Sequence, residues 1–191
     1  LRLQRAAAPQ CMGSLYWQIN DAWPAVSWSS IDYYGTWKGL QYQAKKAFQP
    51  VVLVPNKRGD TIRITSDRME GEELVRLEAE VLDFHGNKLR EWHSGAVRLS
   101  RGIMQEDIAV PYGTFFPDEE AKTTRLVRYR LTVLGEQHTV LSEELYFAMS
   151  PKELRLPVPN SFFYSLEPSE DGRSYDLRLR SPILRKDLYI E

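Results

Sequence analysis

Between residues 61 and 147 apolar side chains recur at every second position, the period that turns one face of a β-strand inward and the other to water. Ile62 and Ile64 share one face of Thr61–Ser66. In residues 75–81, Leu77 and Ala79 oppose Arg76, Glu78 and Glu80; in residues 127–133, Val127, Tyr129, Leu131 and Val133 oppose Arg128, Arg130 and Thr132. After Phe84 the pair Gly86-Asn87 makes a turn, strand texture resumes over residues 89–99 around Trp92, and a last strand runs through residues 140–147. About seven short strands spaced by turn signals predict an antiparallel β-sandwich of immunoglobulin type. Further on, Phe162 and Tyr164 lead to a turn at Glu170-Asp171-Gly172, after which Tyr175, Leu177 and Leu179 alternate with Asp176, Arg178 and Arg180. Roughly 35 residues are too few for a core of their own, so they are expected to open a second sandwich that continues elsewhere.

The first 50 residues have a different texture. Residues 1–10 read as the tail of an Ala-rich helix ended by Pro9. Residues 12–18 are apolar and aromatic, bounded by Gly13 and by the polar pair Asn20 and Asp21, which predicts a buried strand; Pro24 ends regular pairing there. A long loop over residues 19–35 follows, and long ordered loops are usually functional. Thr36 can then cap a helix whose apolar positions Trp37, Leu40, Ala44 and Phe48 recur at helical spacing until Pro50. Strand, loop and helix in this order suit the last unit of a barrel of alternating strands and helices, whose site lies at the C-terminal strand ends, where Trp17 to Trp28 would fall.

Four of the five tryptophans (Trp17, Trp23, Trp28 and Trp37) lie in residues 13–50. Flat apolar rings beside Asn, Asp and Gln make the mixed lining of a sugar pocket: the ring meets the C–H face of a pyranose while the amides and carboxylates bond its hydroxyls.

Composition narrows the alternatives. With 42% apolar and 27% charged residues in 191, the chain can bury a core, and 25 basic against 26 acidic residues give a net charge of −1. Such a balance offers no electrostatic footprint for nucleic acid or an anionic membrane. No apolar run approaches the roughly 20 residues needed to span a bilayer. The lone Cys11 excludes an internal disulfide framework and reads as a small buried hydrophobe at a strand start. His85, His93 and His138 lack metal-ligand spacing, and no phosphate-binding glycine loop or nucleophile elbow is present, so neither metal nor cofactor is expected. The acidic runs at Glu70 to Glu73 and Asp118 to Glu120 read as solvated turns.

The segments GSLYWQINDAWP and SWSSIDYYGTWKGLQY carry a resemblance. In their order of Trp, Asn-Asp, Trp-Pro, Ser-Trp-Ser-Ser and Asp-Tyr-Tyr-Gly they resemble the eighth strand, loop and last helix of the catalytic barrel of β-mannosidases in glycoside hydrolase family 2. That resemblance implies a retaining exo-hydrolase that removes terminal β-linked mannose with two glutamates, both carried on earlier barrel strands whose motifs are absent here. It implies three parts: residues 1–50 as the end of the (β/α)8 barrel, residues 51–155 as the sandwich, and residues 156–191 as the incomplete start of another. The chain is thus expected to be a C-terminal piece, inactive alone, with the upstream barrel of the same polypeptide as its partner and a mannose-containing oligosaccharide as ligand.

By the same resemblance Trp17 floors the subsite of the departing sugar, and Asn20, Asp21, Trp23 and Trp28 are further candidates for substrate contact. Asp32, Tyr33 and Tyr34 are expected to anchor the loop to the helix. Retaining cleavage needs two carboxylates about 5 to 5.5 Å apart, and neither Asp21 nor Asp32 stands in a catalytic motif. Two other readings compete: a stand-alone carbohydrate-binding sandwich, and a family 2 relative acting on glucosaminides, β-galactosides or β-glucuronides. Under any of them residues 1–50 expose a large aromatic face, expected to dock on the sandwich, pair with a second copy or lack order.

Overall fold

A computed structural model describes residues 1–135, 139–158, 162–186 and 188. His138 lies outside them. The chain is mainly β, with seven central strands: β1 (Val51–Pro55), β2 (Thr61–Ser66), β3 (Glu73–Asp83), β4 (Lys88–Leu99), β5 (Met104–Ala109), β6 (Arg125–Val133) and β7 (Val140–Tyr146). Alternation and turn chemistry place β2, β3, β4, β6 and β7; β1 and β5 are not among the segments they single out. They form two sheets, ordered β1-β2-β5 and β4-β3-β6-β7. This is an antiparallel sandwich of immunoglobulin type in which the fourth strand stays beside the third. The chain divides into two compact units, Leu1–Glu78 with His93–Pro111 and Tyr129–Glu144, and Ala79–Trp92 with Tyr112–Arg128 and Leu145–Glu191.

In the first unit the three-stranded sheet has both faces covered. Ile62 and Ile64 of β2 are fully buried, as are Val75 and Leu77 of β3 and Tyr129 and Leu131 of β6. The opposite face of β1 presents Val52 and Val54, which pack against Ala6. Ala6 follows the short helix α1 (Arg2–Arg5), so the opening segment lies on the outside of this sheet. Two arginines hold it there. Arg63 of β2 donates Nη1 to the Ala6 carbonyl at 2.8 Å and pairs in a fork with Asp107, its register partner on β5, at 2.7 and 2.6 Å. Arg5 donates to the carbonyls of Ala47 and Gln49 and to Asp67 just beyond β2. The second of these ties reaches the end of helix α2 (Gly39–Ala47), whose Ala44 and Ala47 are buried.

The predicted strand over residues 12–18 is a correction. Those residues form no strand, and the nearest pairing is the isolated bridge Asn20↔Ile31, followed by Ile31↔Trp37. A strand exists only where a neighbour accepts its ladder bonds, and among the described residues none runs alongside. Thr36 does not cap α2 either; the N-cap is Lys38, with no side-chain cap bond. The Thr36 N–H goes instead to Asp32 Oδ1, which also takes that of Tyr34 and closes a turn through Gly35 at φ +89°. Cys11 is half-buried beyond α1, its thiol donating to the Gly13 carbonyl, and not at a strand start.

In the second unit Phe84, Leu126 and Leu154 form a small core joined by Leu82, Phe147, Met149 and Leu184. The Leu184 N–H donates to the Phe84 carbonyl at 2.7 Å, so the chain after the hairpin returns to this core. The run Asp118 to Glu120, expected as a solvated turn, opens α4 (Glu119–Thr124), which follows the single turn α3 (Tyr112–Phe115). Asp118 Oδ1 caps it by accepting the Ala121 N–H at 2.7 Å, and the two glutamates sit in the first turn, where negative charge meets the positive end of the helix. The last pair, β8 (Phe163–Pro168) and β9 (Tyr175–Arg180), is a hairpin whose register sets Tyr164 across from Leu179 and Leu166 across from Leu177 on one face. Its turn is tied by Asp171, which accepts the N–H groups of Arg173 and Ser174.

Core packing should dominate stability. Leu77→Ala, at a fully buried site, is expected to cost about 2 to 5 kcal/mol in urea denaturation, whereas Leu89→Ala on the exposed start of β4 should stay within about 0.5 kcal/mol of the parent chain.

Candidate functional site

The loop between residues 19 and 37 is built from the inside by hydroxyls and one ion pair. Asp21 is the centre. Its side chain is only 4% exposed and meets Lys38 Nζ at 2.9 Å. Asp21 Oδ1 accepts the Ser27 hydroxyl; Oδ2 takes Lys38 and lies 2.8 Å from Ser29 Oγ. Lys38 also reaches Ser29 Oγ at 2.8 Å and Ser27 Oγ at 3.4 Å. Around this knot the backbone closes: Asp21 N–H to the Ile31 carbonyl, Ile31 N–H to that of Ile19, and Lys38 N–H to that of Ser30. The Ser30 hydroxyl, wholly buried, donates to the Ile19 carbonyl.

The inside being polar, the apolar side chains point out. Trp17, Trp23 and Trp28 are 76%, 69% and 68% exposed, an inversion of the usual placement of indoles. Leu15, Ile19 and Val26 are exposed with them. No ring of the three touches another among the described residues; each is a separate exposed plane. Trp37 behaves differently, packing edge-on against Tyr42 at 5.3 Å under the ammonium of Lys45. The Trp17–Gln18 peptide is cis.

The polar candidates separate in the same way. Asn20 is exposed and spends only its Nδ2, on the Asp21 carbonyl at 3.3 Å, leaving its side-chain oxygen open. Asp21 has both oxygens engaged internally. Its carboxyl is held at about 2, below the usual 3.8, first by the Ser27 hydroxyl and next by Lys38, with Ser29 adding to them against the opposite pull of burial. Ser27 and Ser29 belong to the Ser-Trp-Ser-Ser run that carries the resemblance, but the sequence alone points to no role for them or for Lys38, although a Lys at the start of a helix with no acidic residue in the first turn is an unusual choice.

A cavity of about 190 Å³ lies elsewhere in the same unit. It is lined by Arg5, Cys11, Met12, Phe48, Thr65 and Asp67, among others, and includes none of the three exposed indoles. No group of His, Cys, Asp and Glu among the described residues is arranged to hold a metal, and no helix there is long and apolar enough to cross a membrane.

The fold has counterparts among glycosidases. The crystal structure of β-D-mannosidase from Dictyoglomus thermophilum superposes with a TM-score of 0.68 over 95% of this chain and 21% of that one, at 24% identity. The exo-chitosanase of Amycolatopsis orientalis matches with 0.59 over 93% of this chain and 19% of that one, at 16% identity. In sequence, β-mannosidase A of Emericella nidulans is 28% identical over 175 residues, 85% of this chain and 18% of that protein. β-Mannosidase A of Aspergillus terreus is 46% identical over 63 residues, 31% of this chain and 7% of that protein. No family model matches the chain. The chain resembles the C-terminal part of a family 2 β-mannosidase, and it spans about a fifth or less of the length of these relatives.

The depressed carboxyl of Asp21 gives the loop a pH dependence of defined sign. A group whose folded value lies below its unfolded one, about 3.9, stabilises the folded loop above that pH and ceases to do so as pH falls through the folded value. Indole N–H resonances of Trp23 and Trp28 should therefore be constant from pH 7 to about 5 and shift between about 4 and 2. Asp21→Asn should remove that acid transition.

Proposed function

We propose that this chain is the C-terminal portion of a retaining exo-β-mannosidase, with residues 1–50 ending the catalytic barrel, residues 51–155 forming the sandwich and residues 156–191 beginning a further one. The observation that carries the reading is the outward set of Trp17, Trp23 and Trp28 on a loop whose interior is closed by Asp21 and Lys38, together with the sequence likeness to β-mannosidases.

In the intact enzyme a carboxylate attacks the anomeric carbon while a carboxylic acid protonates the departing oxygen and the glycosidic C–O bond breaks. Water, deprotonated by that second group, then releases mannose from the covalent intermediate. Both groups come from outside this chain. Here Asp21 is consumed by its hydroxyl and ammonium partners and Asp32 by its turn, which leaves the loop a binding role. Trp17 stacks on the C–H face of the sugar and fixes its orientation toward the two acids; Asn20 is free to bond a sugar hydroxyl; Trp23 and Trp28 line the mouth. The exposed apolar face around Leu15 and Val26 is covered by the preceding part of the polypeptide.

A second reading has one observation in its favour: three exposed indoles are a ready platform by themselves. As a carbohydrate-binding module, the 191-residue chain alone would bind manno-oligosaccharides in titration calorimetry.

An aryl β-mannoside assay tests the first reading, as the calorimetry tests the second. The chain alone is expected to release no aglycone; turnover by it would place catalytic acids within it and defeat the proposal. In the intact enzyme Trp17→Ala should lower kcat/KM on the order of a hundredfold, since misplacing a sugar by about an ångström costs that much, with kcat falling as well as affinity.

A further inference from the structure

Lysine is a poor choice for the N-cap of α2. The position favours Ser, Thr, Asp or Asn, whose side chains accept the open N–H groups, and the positive end of the helix repels a cation. Lys38 nonetheless sits there, makes no cap bond, and sends its ammonium back across the loop to Asp21, Ser29 and Ser27.

What those three partners share is their place in the chain. Ser27 and Ser29 are the two neighbours of Trp28, and Asp21 lies two residues before Trp23. The ammonium thus holds the side chains on both sides of one exposed indole and one just ahead of another, without touching either ring.

We propose that Lys38 is a positioning residue: by drawing Asp21, Ser27 and Ser29 onto one ammonium, it holds the loop bearing Trp23 and Trp28 in its binding conformation before any sugar arrives. This rests on the reading that the indoles face substrate. A segment of this length would otherwise lose its conformational freedom on binding, and ordering it beforehand removes that cost from affinity. The arrangement is self-enforcing, because removing the ammonium leaves Asp21 as a buried charge without its counterion. The low pKa of Asp21 keeps its carboxylate ionised throughout the neutral range.

Hydrogen exchange on the 191-residue chain tests the device without reference to sugar. In Lys38→Met the amides of Asp21, Ser30 and Ile31, which close the loop, should exchange at least about tenfold faster, while those of Ile62 and Ile64 in β2 keep their parent rates. Exchange at residues 21, 30 and 31 within about twofold of the parent would overturn the proposal. Should Lys38→Met fail to fold, Asp21→Asn, which keeps an acceptor for the hydroxyls, is read by the same criterion. In the intact enzyme Lys38→Met should raise KM for an aryl β-mannoside by about tenfold with kcat changed far less, as expected of lost preorganisation. A normal KM in Lys38→Met alongside an impaired Trp17→Ala defeats the positioning role alone. A silent Trp17→Ala alongside fast loop exchange in Lys38→Met defeats the sugar-site reading and leaves the clamp standing.

Discussion

The first 50 residues are joined to the sheet of β1, β2 and β5 chiefly through two guanidinium groups and the carbonyls they hold, with Arg2 adding an ion pair to Glu144 of β7. Arg63, rooted in β2 and braced by Asp107, takes the carbonyl that follows α1; Arg5, at the end of α1, takes the two that end α2 and reaches Asp67. Helix ends leave carbonyls without partners, and these donors fill that need while joining segments far apart in sequence. Packing alone would be slender. Ala6 packs on Val52 and Val54, and alanine contributes little buried area.

With both helices fixed, the loop between them has two anchored ends, and its conformation is set from within. The polar side chains turn inward to one carboxylate and one ammonium, and the aromatic side chains, excluded from that polar interior, turn outward. The inversion makes chemical sense where a ligand must meet ring faces and must not meet the charge. It also divides labour between adjacent residues: Asn20 and the indoles address the surroundings, while Asp21, Ser27 and Ser29 address one another.

The sandwich was legible because its signal is local and repeated. Alternation through β2, β3 and β6 reads directly as one buried face, and turn residues such as Gly86 separate the strands. The aromatic cluster was conspicuous for a different reason: four of the five indoles fall within residues 13–50, and three of them are exposed. The supports were hidden. Thr36 has the better capping side chain, yet its backbone N–H belongs to the Asp32 turn and the helix begins at Gly39. Residues 12–18 have strand composition, but a strand is a relation between segments, and composition cannot supply the neighbour. Asp118 to Glu120 carried the mark of a helix start, a capping acid followed by two glutamates, and its density of charge was the more conspicuous feature.

The choice of acceptors at the junction has one more consequence. Arg5 and Arg63 bind main-chain oxygen at positions 6, 47 and 49, and every amino acid brings the same oxygen. The identity of the residue at position 49, exposed and otherwise idle, is therefore free to drift without loosening the joint. The two arginines are not, since lysine offers a point charge where a fork is needed. Of the three acceptor positions only 49 has that latitude, because Ala6 and Ala47 are buried.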